Sequence, residues 1–217
     1  MKIFLDSSDI SEIKQINKGH LVDGITTNPS LLANQNGDFR KILKSIASEI
    51  KGPISAEVTA TVYKKMIIEA KILQKIAKNI VIKVPLTTDG LQACDYLVKK
   101  KFKVNVTLCF SETQAILAAK AGATYISPFV GRLDDVGEDG VELIKNIKKI
   151  YENYNFSTKI LAASIRSIEH VEQVAKIGAD VITLPPKIFR QLIKHDLTDK
   201  GLEIFLSDWK KGGKQIS

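Results

Sequence analysis

Short apolar segments alternate with amphipathic segments along this 217-residue chain, and this alternation constrains the fold more than any other feature. The apolar segments are four to six residues long and rich in β-branched residues, which is typical of buried parallel strands. Strands are predicted over residues 2–6, 24–28, 54–58, 80–84, 103–107, 125–129, 159–164 and 181–184.

Helical segments fill the intervals between these strands. Apolar residues recur there three and four positions apart, over residues 39–50, 62–78, 91–100, 112–120, 141–154 and 168–177. Helix N-caps are expected at Ser8, Thr61, Asp89, Ser111 and Ser167. Eight strand and helix repeats without a linker predict an α/β fold, a single (β/α)8 barrel over residues 1–217. An open doubly wound sheet is the alternative, but no G-x-G-x-x-G turn follows the first strand.

Polar residues follow the strand alternation in a way that places them together. In a closed barrel only side chains of one parity point into the lumen, and active sites lie at the C-terminal ends of the strands. Within each strand the unusual residues share one parity, whereas neighbours such as Leu5, Val84 and Ala163 would face the helices. The predicted lumen residues are Asp6, Thr26, Asn28, Glu57, Lys83, Asn105, Thr107, Ser127, Phe129 and Ser164.

Lys83 is the most unusual member of this set, because it lies in the apolar run IVIKVPL. An ammonium inside a strand that is buried on both faces must be paired, deprotonated or functional. Burial disfavours the charged form of an amine, and a neutral amine can attack a carbonyl to form a Schiff base. Lys83 is therefore the candidate nucleophile, and the alternative is an edge-strand lysine that extends to solvent.

Composition limits the partners, cofactors and cellular location to be expected. The net charge of +8 could attract nucleic acid, but only four basic residues are arginines, and the lysines are interspersed with acids on predicted helix faces. We therefore expect no nucleic-acid partner. Cys94 and Cys109 have no metal-ligand spacing, and nothing indicates a metal or an organic cofactor. The chain has no signal-like start and no apolar stretch of about 20 residues, so a cytoplasmic location without membrane contact is expected.

Several segments together resemble the transaldolase family, particularly its short bacterial and archaeal members. Similarity is strongest at residues 4–8 (FLDSS), 24–30 (GITTNPS) and 82–85 (IKVP). It continues through residues 56–58 (AEV), 127–132 (SPFVGR), 162–166 (AASIR) and 183–185 (TLP). The TTNPS and KVP elements are specific when they occur together, and the similarity covers nearly the whole chain.

The resemblance implies a Schiff-base transferase of the pentose phosphate pathway. A dihydroxyacetone unit would pass from sedoheptulose 7-phosphate or fructose 6-phosphate to glyceraldehyde 3-phosphate or erythrose 4-phosphate. Lys83 would form the imine and Asp6 would act as general base for the C4 hydroxyl. Glu57 and Thr107 would hold and activate a water. Binding of the substrate is implied for Thr26, Asn28, Asn105, Ser127, Phe129, Arg132, Ser164 and Arg166, with the two arginines and Ser164 on the phosphate.

Two positions bear on the reaction type. Related fructose-6-phosphate aldolases are associated with a glutamine at the position of Glu57 and a tyrosine at that of Phe129, so this chain has the transferase pattern. A phenol near the imine can orient water and protonate the enamine, whereas a phenylalanine ring cannot. An aldolase that releases free dihydroxyacetone remains the nearest alternative, and a non-catalytic sugar-phosphate binder or a basic nucleic-acid-binding protein are alternatives of other classes.

The C-terminal segment is predicted to form one additional helix. Residues 199–211 carry an amphipathic pattern, and residues 212–217 are expected to fray. This helix could cover the barrel wall, which is the default for such a segment. The resemblance to short transaldolases implies instead that it forms subunit contacts in a homo-oligomer, commonly a decamer.

Overall fold

Eight parallel strands close into a barrel in the computed structural model, which describes residues 1–216. The strands follow one another around the barrel in sequence order, and the eighth pairs with the first. Their bounds are β1 Lys2–Asp6, β2 Gly24–Thr26, β3 Ile54–Glu57, β4 Ile80–Pro85, β5 Val104–Cys109, β6 Tyr125–Pro128, β7 Lys159–Ala162 and β8 Val181–Leu184. The predicted (β/α)8 barrel is confirmed, and the open sheet is excluded.

Helices connect the strands and surround the barrel. Those in residues 1–216 are α1 Ile10–Ile16, α2 Pro29–Ala33, α3 Phe39–Glu49, α4 Tyr63–Gln74, α5 Thr88–Lys99, α6 Glu112–Lys120, α7 Val130–Asp134, α8 Gly140–Asn153, α9 Ile168–Ile177, α10 Pro186–Gln191 and α11 Asp196–Lys211. The short helices α2, α7 and α10 were not predicted, because five or six residues are too few for a periodic pattern. Within residues 1–216 no helix has the length and apolar character needed to cross a membrane.

Two of the five predicted helix caps are confirmed: Ser111 and Ser167 cap α6 and α9. The prediction of Ser8 is wrong, because the next residue, Asp9, caps α1 and accepts from the backbone N–H groups of Ser11 and Glu12. The prediction of Asp89 is wrong, because Thr87 caps α5. Asp89 instead accepts a hydrogen bond of 2.7 Å from the backbone N–H of Tyr63, at the start of the neighbouring helix α4. The prediction of Thr61 is also wrong, because the N-cap of α4 is Val62, which makes no side-chain hydrogen bond, and Asp89 of α5 supplies the acceptor instead.

Two separate apolar clusters verify the predicted strand parity. The larger one packs between the strands and the helices and includes Leu5 and Val84. The smaller one fills the lumen with Phe4, Val81, Tyr125, Leu161, Ala163 and Val181. Gly24 makes room for this inner layer, because a Cβ there would lie 2.6 Å from the Phe4 ring and from the Pro53 carbonyl oxygen. The expectation that Ala163 faces the helices is wrong, since it lies in the lumen cluster.

Two strands, β2 and β7, end two residues earlier than predicted. β2 ends at Thr26, two residues earlier than predicted, because Asn28 is the N-cap of α2 with Pro29 following it. β7 ends at Ala162, and Ser164 beyond it has a left-handed φ of 58°. This conformation breaks the alternation, so Ala163 and Ser164 can both face the lumen. In these two strands, simple periodicity therefore stops at the C-terminal end of the barrel.

The C-terminal helix begins three residues earlier than predicted. Its N-cap is His195, whose Nδ1 accepts from the backbone N–H of Leu197 at 3.1 Å. Among the residues described, α11 carries no buried side chain. Its large apolar residues are exposed: Leu197, Leu202, Ile204, Phe205, Leu206 and Trp209.

Candidate active site

Four residues at the C-terminal end of the barrel form what we call the lysine cluster: Asp6, Thr26, Glu57 and Lys83. Strand register explains their proximity, because Glu57 is the Cα partner of Lys83, and Asp6 is the partner of Thr26. Partners in parallel strands point to the same side of the sheet, here into the lumen. The cluster is thus a direct consequence of the pairing of β1 with β2 and of β3 with β4.

Lys83 is buried and doubly paired. Its side chain is 7% exposed, and its Nζ lies 3.0 Å from Glu57 Oε2. The same Nζ donates to the backbone carbonyl of Thr27 at 3.1 Å. β4 pairs on both sides, with β3 and β5. The alternative of an edge-strand lysine that extends to solvent is therefore excluded, and the amine lies where a carbonyl group entering the lumen would meet it.

Asp6 is held by a chain of hydroxyl groups. Thr26 Oγ1 donates to Asp6 Oδ1 at 2.7 Å, and Thr26 Oγ1 lies 2.6 Å from Thr183 Oγ1 on β8. Burial raises the pKa of the Asp6 carboxyl, while the hydrogen bond from Thr26 and the charge of Lys83 oppose this rise. A buried carboxylate with a raised pKa beside a lysine is typical of a group that exchanges protons with a substrate.

A second polar layer runs through Asn105, which is the Cα partner of Lys83 on β5. Asn105 Nδ2 donates to Ser55 Oγ at 3.2 Å, and Ser127 Oγ donates to Asn105 Oδ1 at 2.8 Å. Both ends of the amide are thus engaged by protein groups. In contrast, the buried Thr107 Oγ1 has no hydrogen-bond partner among residues 1–216. A buried hydroxyl without a partner is a place for a water or a ligand atom.

A cavity of about 140 Å³ opens at this end of the barrel. Most of its lining had been predicted from the sequence: Asp6, Thr26, Asn28, Lys83, Thr107, Ser127, Phe129, Arg132 and Ser164. Leu161, Ala163 and Thr183 complete it. Glu57 does not line this cavity, but it is paired with Lys83, which does. Glu57 borders a second, mainly apolar cavity of about 440 Å³ next to α2, α3 and α4.

Three predicted phosphate-binding residues, Arg132, Ser164 and Arg166, form the edge that we call the arginine rim. Arg132 lies on α7 with its guanidinium carbon 4.8 Å from the centre of the Phe129 ring. Arg166 does not line the cavity, because its guanidinium forms a bidentate ion pair with Asp135. This pairing lowers the pKa of the exposed Asp135 carboxyl and raises that of Arg166.

The stem of Arg166 nevertheless lies close to the cavity. A Cβ at Gly131 would be 2.6 Å from Arg166 Nε, so the glycine allows this side chain to cross the first turn of α7. Gly131 precedes Arg132, and its backbone N–H donates to the Ser164 carbonyl at 3.0 Å. The Asp135 carboxyl also feels the charge of Arg132, so the two guanidinium groups flank one carboxylate.

Metal-ligating and thiol groups do not gather at this site. Residues 1–216 contain no group of three or more His, Cys, Asp or Glu side chains that could hold a metal ion. Cys94 and Cys109 are buried and unpaired with each other, and burial raises the pKa of each thiol to about 12. Protonated thiols of this kind are poor nucleophiles.

Sequence comparison with known proteins assigns this chain to a family. A sequence profile described as "Transaldolase/Fructose-6-phosphate aldolase" matches residues 3–216. The chain belongs to this family. Among similar proteins, the "Probable transaldolase" of Chelativorans sp. strain BNC1 is 57% identical over 216 residues, with all of both chains covered. Those of Brucella ovis and Bartonella tribocorum are 56% and 57% identical, again over all of both chains. The protein is thus an enzyme of the transaldolase type.

Solved structures with a similar shape support the fold alone. The mutant flavocytochromes b2 with pyruvate bound and with sulfite bound each superimpose with a TM-score of 0.65 at 12% identity. The match covers 88% of this transaldolase-family chain but only 58% of the flavocytochrome chain. Such low identity is compatible with unrelated chemistry on one barrel fold.

Some groups of this transaldolase-family site were missed in the sequence. Thr183 was not proposed, although strand alternation in VITL places it on the same face as the lumen residue Val181. A single hydroxyl in an apolar strand was the available signal. The Thr27 carbonyl left no signal, because any residue has a carbonyl, and its direction depends on the turn that follows β2.

Proposed function

We propose that this protein transfers a dihydroxyacetone unit between sugar phosphates through a Schiff base on Lys83. The supporting observation is a buried amine, paired with Glu57 at 3.0 Å, that lines a polar cavity together with a carboxyl group of raised pKa. Donors would be sedoheptulose 7-phosphate or fructose 6-phosphate. Acceptors would be glyceraldehyde 3-phosphate or erythrose 4-phosphate, as in the pentose phosphate pathway.

Imine formation uses the pair of Lys83 and Glu57. Glu57 is positioned to accept a proton from Nζ, which leaves a neutral amine that attacks the C2 carbonyl of the ketose. The resulting carbinolamine loses its hydroxyl as water to give a protonated imine. Thr107, whose buried hydroxyl has no protein partner in residues 1–216, would hold that water and the water of the later hydrolysis.

Carbon–carbon cleavage uses Asp6. The carboxylate takes the proton of the C4 hydroxyl, C4 becomes a carbonyl carbon, and the electron pair of the C3–C4 bond moves to the imine. The product is an enamine on Lys83 and a free aldose phosphate. The reverse sequence with a second aldose phosphate completes the transfer. Asn28 lines the same cavity but also caps α2, since its Oδ1 accepts from the Leu31 N–H at 2.8 Å, so its amide N–H groups are the ones directed to substrate hydroxyls.

Phosphate recognition would fall to the arginine rim. Arg132 lines the cavity, and its planar guanidinium can donate two parallel hydrogen bonds to phosphate oxygens. Arg166 would join it only by exchanging the Asp135 carboxylate for phosphate. Carboxylate and phosphate present similar pairs of oxygens to an arginine, so this exchange needs no change in the type of contact.

Transfer is favoured over simple cleavage by the surroundings of the enamine. The Phe129 ring lines the cavity, packs 5.6 Å from the Phe110 ring and carries Arg132 on its face. It offers no proton to the enamine, so the intermediate would persist until an acceptor arrives. Release of free dihydroxyacetone as the main product would instead support the aldolase alternative.

We further propose that the enzyme is a homo-oligomer. The exposed apolar side chains of α11 support this, because a contiguous apolar helix face in water is unfavourable unless a partner covers it. Analytical ultracentrifugation of the full chain tests the proposal. A monomer at micromolar concentration would contradict it.

Borohydride trapping tests the Schiff base itself. Reduction in the presence of fructose 6-phosphate should add the mass of a reduced dihydroxyacetone adduct to the peptide containing Lys83. The variant Lys83→Met should show no adduct, whereas Lys99→Met, which removes an exposed lysine, should be labelled normally. Labelling at any other lysine would overturn the mechanism.

A further inference from the structure

The hydroxyl chain that ends on Asp6 has a direction that follows from counting its protons. An ionised carboxylate only accepts hydrogen bonds, and a threonine hydroxyl has a single proton to donate. Thr26 donates that proton to Asp6 Oδ1 at 2.7 Å. In the contact of 2.6 Å between Thr26 Oγ1 and Thr183 Oγ1, Thr183 must therefore be the donor.

Thr183 reaches this position from β8, on the far side of β1 from β2. Its apolar neighbours in the lumen are Val181 on the same strand, Leu161 on β7 and Ala163 just beyond the end of β7. Thr183 and Thr26 are each only 3% exposed, so bulk water has little access to this pair. Valine would fill the same space in this surrounding, and the packing therefore gives no reason for a hydroxyl at residue 183.

We propose that Thr183 is a positioning residue for the transfer reaction: by donating to Thr26, it holds the Thr26 hydroxyl as a donor to the Asp6 carboxylate. The inference rests on the proposed function, in which Asp6 is the general base. It also limits Thr26, whose proton is committed to Asp6, so that Thr26 can meet a substrate hydroxyl only as an acceptor. Consecutive hydrogen bonds polarise one another, which strengthens the bond that reaches Asp6.

Loss of the Thr183 donor should affect a specific part of the pH profile. Asp6 faces Thr26 from β2 and the charge of Lys83 from β4, and Glu57 of β3 lies beyond Lys83 as its ion-pair partner. Within residues 1–216 the Thr183 hydroxyl hydrogen-bonds with Thr26 and with none of these charged groups, so its removal should act on Asp6 through the Thr26 hydrogen bond that favours the ionised form. The acidic limb of kcat/KM should consequently move to higher pH.

The test compares Thr183→Val with Thr183→Ser and with a matched control. Thr183→Val should lower kcat at neutral pH about three- to tenfold, the size of one net hydrogen bond, and should shift the acidic limb upward. Borohydride labelling of Lys83 should continue. Thr183→Ser keeps the hydroxyl donor and should show the wild-type pH profile. The control Thr158→Val removes another buried hydroxyl, which donates to the Ala123 carbonyl next to the start of β7, and should leave the profile unchanged.

An unshifted acidic limb with wild-type kcat in Thr183→Val would overturn the positioning role. Should that variant fail to fold, Thr183→Ala removes the same hydroxyl with a smaller side chain and offers the same comparison. Asp6→Asn separates the two levels of the argument. If Asp6→Asn keeps full activity, the proposed general base is wrong; if it is inactive while Thr183→Val behaves as wild type, only the role of Thr183 is lost.

Discussion

The two ends of the cavity differ in how their charges are held. In the lysine cluster, charged and polar groups come from regular paired strands and are almost removed from water, with Lys83 only 7% exposed. In the arginine rim, Arg132 and Arg166 come from a short helix and a loop, and both are exposed. One end is fixed by backbone pairing, and the other by an ion pair at the surface.

This difference follows from the chemistry that each end would perform. Covalent catalysis needs a nucleophile and a base whose positions are set before the substrate binds, and buried strand register sets these positions. Capture of a dianion needs positive charge with access to solvent, and exposed arginines supply it. Substitutions in the lysine cluster should therefore reduce kcat strongly, whereas substitutions in the arginine rim should act mainly on KM.

The largest effect is expected from breaking the pair of Lys83 and Glu57. Lys83→Met should abolish turnover, because no other amine lines the cavity among residues 1–216. It should also destabilise the fold by up to about 3 kcal/mol, because Glu57 would be left as a nearly buried charge without its partner. Steady-state kinetics and urea denaturation measure the two effects.

A double variant separates charge from volume in this experiment. Lys83→Met combined with Glu57→Gln should recover most of the lost stability without any activity, because no unpaired charge remains. If the double variant were as unstable as the single one, packing rather than charge pairing would hold this end of the barrel.

Asp6→Asn should have the next largest effect on rate. Removing a general base typically lowers kcat by about 10² to 10⁴. The amide can still accept from Thr26, so the geometry of the cluster should persist. Single-turnover measurement of aldose phosphate release checks the rate, and a loss of less than tenfold would argue against Asp6 as the base.

Asp6→Asn should also have a higher free energy of unfolding than the wild type at neutral pH. Because burial raises the folded-state pKa of Asp6 above its unfolded value, the wild type loses stability as pH rises through that folded pKa and the carboxyl ionises. Asparagine carries no such cost. Thermal denaturation should show the gain at about pH 8 and a smaller difference below about pH 4, where Asp6 is protonated in both states.

Arg132→Ala should produce an intermediate effect that is confined to phosphorylated substrates. KM for fructose 6-phosphate should rise about tenfold to a hundredfold, the size of charge-assisted hydrogen bonds to phosphate. The KM for unphosphorylated dihydroxyacetone should change little. Arg40→Ala, which removes an exposed arginine on α3 that does not line this cavity, is the control. Equal losses with both kinds of substrate would remove Arg132 from the phosphate site.

Phe129→Tyr should have the smallest effect and should act on product distribution. A phenol next to the Phe110 ring would bring a proton donor to the cavity wall, so free dihydroxyacetone should increase relative to transfer. Chromatographic quantification of both products gives the ratio. No change in that ratio would undercut the role of Phe129 in favouring transfer.

Strand periodicity was sufficient to predict most of the cavity. Alternation alone placed Asp6, Thr26, Lys83 and Thr107 on the lumen face, and the structure brings them to one cavity. Prediction failed where the backbone leaves regular geometry. Ala163 keeps the lumen side of Leu161 and the left-handed Ser164 after it also lines the cavity, so the parity assigned from Ser164 was wrong for Ala163. A carboxylate from the neighbouring helix replaced a local cap at Tyr63.

By itself the sequence determined the barrel, the lumen face and the family, because apolar periodicity and short motifs are local properties that a single strand or turn expresses. Only the tertiary structure decided which groups share protons and charge. Glu57 forms an ion pair with Lys83, 26 positions away in the chain. Thr183 hydrogen-bonds with Thr26 across 157 positions, and Asp135 forms an ion pair with Arg166 across 31 positions. Such contacts depend on strand register and loop direction, which spacing along the chain does not encode.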